Sequence, residues 1–272
     1  MLILRLKYDL KALFRVTWPL YVAIIVMSFG IYVYEMIQNW DIFNIALFDM
    51  FVGIYSFVYV IALMGLIIWP IIVCIRDFFN TMLKDEGYLT NTLPVSRNIL
   101  ILSKELAGLI FFLISCILLI ISLFAVVMPS ISLMDIGRVF VGYHWDWQSI
   151  LLFVMLMIMG LVSAYSSITL FVLAMMLGQM HRSAKGIFSV AYYFLISFGM
   201  QILILILTIA FGFVMDTEIG WHIGNSFYAF MHGHEFITAM IVMGLGSLYN
   251  LAVGIIFHSI SVWIANHKLN LE

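Results

Sequence analysis

Charge is what this chain most lacks. Of its 272 residues only 10% are charged, while 65% are hydrophobic and the mean hydropathy is +1.16. A soluble domain carries about a quarter charged residues. A chain with so little polar surface cannot cover a globular exterior, and the bilayer is the solvent that suits it. The net charge of −2 gives no basic surplus, and no nucleic-acid partner is expected. The two cysteines, Cys74 and Cys116, fall inside apolar runs, without metal-ligand spacing and without a disulfide framework.

Catalytic signatures are missing as well. The chain has no G-x-S-x-G, no H-E-x-x-H and no pair of intramembrane carboxylates for acid–base work. It also lacks G-x-x-x-x-G-K-[ST], so it has no phosphate loop of its own. No enzymatic activity, metal or cofactor is expected in this chain. Ion-coupled transporters usually keep ionisable groups in the membrane interior. Here Glu35 stands at the outer end of the first apolar stretch and His258 towards the inner end of the last. Any uphill transport would draw its energy from a partner.

What the chain has is long apolar runs. About 20 apolar residues cross the hydrocarbon core as a helix. Six stretches qualify, at about 16–36, 50–75, 106–128, 148–177, 188–215 and 237–264. The expected fold is an all-α membrane domain of six spans covering residues 1–272.

The basic residues orient it. Arg5, Lys7, Lys11 and Arg15 precede the first span; Arg76, Lys84, Arg97 and Lys104 lie between the second and third. Arg182 and Lys185 lie between the fourth and fifth, and Lys268 follows the sixth. Only Arg138 falls in an alternate loop, so eleven of twelve basic residues share a side that the positive-inside rule makes cytoplasmic. Both termini are expected inside. The N-terminus lacks a short apolar run with a small-residue cleavage site, so the first span reads as retained.

In residues 1–15, Leu2, Ile3, Leu6, Leu10, Leu13 and Phe14 share one helical arc, and Lys7, Lys11 and Arg15 line another. This pattern predicts an interfacial amphipathic helix whose basic stripe faces membrane lipids. Thr17, Trp18 and Pro19 predict a corner after it, because a residue before proline disfavours the helical region.

Polar residues recur at helical spacing inside the spans. Tyr55 and Tyr59 do so on the second, Ser197, Gln201 and Thr208 on the fifth, and Gly246, Asn250, Gly254 and His258 on the sixth. Gly160 and Ala164 form a small-residue pair on the fourth. Helix packing accounts for most such stripes. Gln201 stands apart, because an amide at mid-membrane must face a partner or a wet cavity. Tyr55, Tyr59, Ser197, Gln201 and Thr208 are therefore candidate pathway residues.

Two larger outer loops are expected, at 129–147 and 216–236. The second is dense in aromatics (Trp221, Phe227, Tyr228, Phe230, Phe236), which suits an element at the headgroup layer. His232 and His234, with His222, Glu235 or His144 as a third ligand, admit a zinc site, although histidines in outer loops are usually polar surface.

The loop 76–104 is the largest cytoplasmic feature. RDFFNTML continues the second helix, Gly87 and Pro94 break the chain, Ser96 is placed to cap, and helix resumes at NILILSKELAG. Between the stops, Tyr88, Leu89 and Leu93 are apolar anchors within a charged rim of Lys84, Asp85, Glu86 and Arg97. A few anchors inside a polar rim suit a small docking interface.

The segment DEGYLTNTLPVSRNILILSK resembles the loop after the second span in type-2 permeases of bacterial ATP-binding-cassette (ABC) exporters, with a pattern common in Gram-positive members. The matching residues are Asp85, Glu86, Gly87, Tyr88, Leu89, Thr92, Leu93, Pro94, Val95, Ser96, Arg97, Ser103 and Lys104. The resemblance implies that this loop is a coupling helix docking on a separate cytoplasmic ATPase, which would hold ATP and Mg. It also implies a second permease subunit, identical or paralogous, with the pathway along the second and fifth spans. Residues 216–236 would match the family's re-entrant outer region. The implied cargo is amphipathic: an antimicrobial or other peptide, a lipid or a drug. Two rivals from other classes remain, a membrane enzyme or accessory protein using the histidine-containing loop and an ion-coupled secondary transporter.

Overall fold

The computed structural model describes residues 2–38, 46–83, 95–127, 146–181 and 184–268. The described residues are almost entirely helical, with no β-strand among them. In chain order the helices are α1 (Leu2–Gln38), α2 (Ala46–Phe78), α3 (Arg97–Val127), α4 (Trp147–Gly178), α5 (Lys185–Met215), α6 (Glu218–Gly233) and α7 (Glu235–His267). A π-helical turn, Phe79–Leu83, extends α2. Six of these, all but α6, are long and apolar enough to span a bilayer. The chain is a multi-pass helical membrane protein.

The helices fall into two compact units, Met1–His144 and Trp145–Glu272. In the first unit α1, α2 and α3 pack on one another. Their shared core is Leu13, Tyr21 and Ile24 of α1, Leu66 and Val73 of α2, and Ala107 and Phe111 of α3. Polar pairs set the register along it. Tyr21 Oη lies 2.9 Å from Ser115 Oγ, Tyr59 Oη 2.6 Å from Ser122 Oγ, and Tyr55 donates to the Met27 carbonyl at 3.1 Å. These pairings place α2 antiparallel to α1 and α3, as short connections between successive spans require.

The corner expected at Thr17–Pro19 is not there: α1 runs through Pro19 as one helix of 37 residues. Proline removes one backbone donor, and the helix survives where packing holds both flanks. Leu13 and Thr17 before the proline and Tyr21 and Ile24 after it are all buried, and Thr17 Oγ1 donates to the Leu13 carbonyl at 3.0 Å. The N-terminal apolar arc is correspondingly divided. Leu6, Leu10 and Leu13 pack against the core of α2 and α3, while Ile3 and Phe14 are exposed. Lys7, Lys11 and Arg15 are exposed, as the stripe predicts.

In the second unit α4 packs on α7 and on α5, and α6 contacts α5 and α7. The Gly246-to-His258 stripe is part of this packing. A side chain at Gly254 would meet the Tyr165 ring at 3.1 Å and Ser166 Cα at 3.4 Å, so glycine permits the close crossing of α7 over α4. Asn250 Nδ2 donates to the Gly246 carbonyl at 2.9 Å, within its own helix. By contrast α5 has one buried residue, Ser189, and its residues 201–214 are all exposed.

Candidate functional site

The densest polar feature in the first unit lies where the start of α1, the end of α2 and the start of α3 meet. Lys104 on α3 reaches Asp9 of α1, with Nζ 2.8 Å from Oδ1, and also holds the Asp77 carboxylate of α2 in a short contact. The second oxygen of Asp9 accepts from Ser103 Oγ at 2.9 Å, and Arg5 lies 3.7 Å from Asp9 Oδ1. Asp9, Ser103 and Lys104 are all buried, and Asp77 is mostly so. The neighbouring Glu105 is buried and engaged as well.

Sequence places each group there for a simple reason. Asp9 is two residues from Lys7 and from Lys11, so it points to the far side of the basic stripe. Ser103 and Lys104 stand about two turns into α3, and Asp77 lies at the end of α2 just before its π-helical extension. Burying charge is costly unless each group is paired and hydrogen-bonded. Here one ammonium is shared between two carboxylates and both Asp9 oxygens have donors. The gain is less in net stability than in position: displacing one helix end strands a buried charge.

This cluster stands at the roots of the segment that carries the family resemblance. Thr81 in the π-helical turn ties its hydroxyl to the Asp77 carbonyl at 2.7 Å. On the other side α3 begins directly after Ser96, whose carbonyl accepts from the Leu100 amide at 3.3 Å. Arg97 is the first residue of α3 and is engaged with a partner. Lys84, Asp85, Glu86, Gly87, Tyr88, Leu89, Leu93 and Pro94, and with them the expected coupling helix, lie outside the described residues.

The candidate pathway residues are not gathered in one place. Tyr59 is buried against Ser122 and Tyr55 is tied to α1, so both serve packing within the first unit. On α5, Ser197 is half-buried, Gln201 is exposed, and Thr208 returns its hydroxyl to the Ile204 carbonyl at 2.8 Å. The aromatic stretch holds the helix α6, capped by Thr217, whose hydroxyl accepts from the Gly220 amide at 3.1 Å. Trp221, Tyr228, Phe230 and Met231 are exposed on it.

The candidate metal-site histidines sit beside aromatic rings. His222 meets Trp221 edge-on, His232 meets Tyr228 edge-on, and His234 stacks on Phe230. Among the described residues no three histidine, cysteine or acidic side chains are placed to hold a metal ion. His144 lies outside the described residues.

Sequence reading missed Asp9 and Asp77, and it took Lys104 as a cytoplasmic cation and a motif residue without a partner in the fold. One local signal was present: Asp9 is the sole acid among the first fifteen residues, whose other charged residues are all basic. Searches against protein-family models, curated proteins and solved structures found no match for this chain.

Proposed function

We propose that this chain is the membrane-spanning permease subunit of an ATP-driven ABC exporter of the type-2 kind. The observation that carries the reading is the setting of residues 84–97. This polar segment lies between the second and third of six apolar helices, and its two roots are joined to α1 through Lys104, Asp77 and Asp9. A pull on such a segment would be shared by three helix ends rather than absorbed by one.

On this reading a separate cytoplasmic ATPase, holding ATP and Mg, docks on Tyr88, Leu89 and Leu93 within the rim of Lys84, Asp85, Glu86 and Arg97. Its closure draws on the segment, and the clasp passes the displacement to α1, α2 and α3. A second permease subunit, identical or paralogous, completes the pathway, with Gln201 on the open α5 as a lining residue. Eleven of twelve basic residues on one side support cytoplasmic termini and insertion in a bacterial plasma membrane. The resemblance supports an amphipathic cargo, whether peptide, lipid or drug.

Coupling of this kind needs the loop to contact the ATPase differently in its two states. Leu89→Asp and Tyr88→Ala are expected to abolish substrate-stimulated ATPase activity in an assembled complex. Undiminished stimulation in both variants, with the complex intact, would overturn the coupling assignment.

A further inference from the structure

The first turns of α1 sort their charge by face. Arg5 and Asp9 turn inward, where Asp9 is spoken for by Lys104 and Ser103. Lys7, Lys11 and Arg15 turn outward and are exposed. At about 100° per residue these three fall within about 80° of one another. Among the described residues no carboxylate lies within ion-pair distance of any of them. The outward face is therefore a cationic strip whose only nearby acid on α1 is committed to the other side of the helix.

The strip is not purely polar. Ile3, Leu4, Phe14 and Trp18 are exposed, and the helical period sets them among the cations, with Trp18 between Lys7 and Lys11 in angle. Cations interleaved with exposed tryptophan and aliphatic side chains suit a headgroup layer, where ammonium and guanidinium groups meet phosphate and indole sits at the boundary. An acidic protein surface would satisfy the cations but would leave the apolar side chains among them without a matching environment.

Helix length carries the strip out of the hydrocarbon. At ~1.5 Å per residue α1 is about 55 Å long, against about 30 Å of hydrocarbon. The excess, about 25 Å, corresponds to the turns that hold every basic residue of α1.

We propose that Lys7, Lys11 and Arg15, with Trp18 and Phe14, form a binding face for anionic phospholipid headgroups. The same turns carry Asp9 on their inner side. Lipid held on the outer face therefore presses α1 onto the Lys104 clasp, and anionic lipid stabilises the meeting point of α1, α2 and α3. This holds whether or not the chain is an exporter subunit.

The test uses the full chain, delipidated in mild detergent and offered phosphatidylglycerol and phosphatidylcholine in mixed micelles, with bound lipid read by native mass spectrometry. The wild type is expected to retain phosphatidylglycerol preferentially. Each cation near an anionic surface is worth roughly a fivefold preference, so the three together amount to on the order of a hundredfold. The triple variant Lys7→Gln, Lys11→Gln, Arg15→Gln should lose it, and the charge-conserving Lys7→Arg, Lys11→Arg, Arg15→Lys should keep it. Thermal unfolding should rise with phosphatidylglycerol in the wild type and not in the triple glutamine variant. If the triple variant does not fold, the single glutamine variants should each show a partial loss. Equal retention of the two lipids by the wild type, or undiminished preference in the glutamine variants, overturns the proposal. So does an absent lipid preference accompanied by loss of a co-purifying protein in the triple variant, which would give the face to an acidic protein surface.

Discussion

Lys104 Nζ lies 2.8 Å from Asp9 Oδ1 while the same ammonium holds Asp77, so one side chain joins the ends of α1, α2 and α3. Lys104 and Asp9 are both almost wholly buried. An ion cluster thus joins three helices next to the polar segment 84–97.

Removing one partner of a buried ion pair is far more damaging than removing the whole set. Lys104→Met should destabilise the first unit by about 3–5 kcal/mol, because it strands two carboxylates. The triple variant Asp9→Asn, Asp77→Asn, Lys104→Met should recover a large part of that loss. Thermal or denaturant unfolding in detergent reads both. A triple variant no better than Lys104→Met would contradict the desolvation argument.

The Tyr59–Ser122 hydrogen bond joins α2 to α3 inside the apolar layer. Interhelical hydrogen bonds in membrane proteins average about 0.6 kcal/mol by double-mutant cycles. Tyr59→Phe and Ser122→Ala should each cost about that much, and together little more than either alone. Full additivity would show that the two hydroxyls act separately.

Two glycines on α7 should respond in opposite directions. Gly254→Leu forces the Tyr165 ring aside and should cost about 1–3 kcal/mol. Gly244 has nothing within 4 Å of an added side chain, so Gly244→Ala should be neutral or gain up to about 1 kcal/mol from helix propensity. Unfolding of both variants in one detergent makes the comparison direct.

Gln201 is exposed on α5, a helix with almost no buried residue. Gln201→Leu should leave the stability of the isolated chain within about 0.5 kcal/mol. In an assembled, reconstituted complex the same change should alter transport. A stability loss without a transport effect would return Gln201 to ordinary packing.

Six spans were legible because length and apolarity alone define them, whereas α1 and α3 begin well before the apolar stretches that mark them in the sequence. RDFFNTML as a continuation of α2, and the start of α3 beside Ser96, were legible from local breaks and caps. Pro19 was misread because a proline's effect on a helix depends on what packs around it, and Leu13, Thr17, Tyr21 and Ile24 find their neighbours on α2 and α3. The clasp was not legible for a related reason. Asp9 on α1 and Lys104 on α3 are far apart in the sequence, and no local pattern announces a pairing made by tertiary packing. The Ser103–Lys104 step stood in the sequence as part of a motif, and only its partner Asp9 gives it a physical role.

On the proposed reading, energy enters this chain from a separate ATPase. Mild purification of the complex from its native membrane, with every co-purifying chain identified and quantified, tests it most directly. The account predicts a nucleotide-binding subunit in stoichiometric amount, lost when Leu89 is replaced by Asp. Repeated recovery of the chain without any nucleotide-binding partner, in a preparation that still transports, would contradict it.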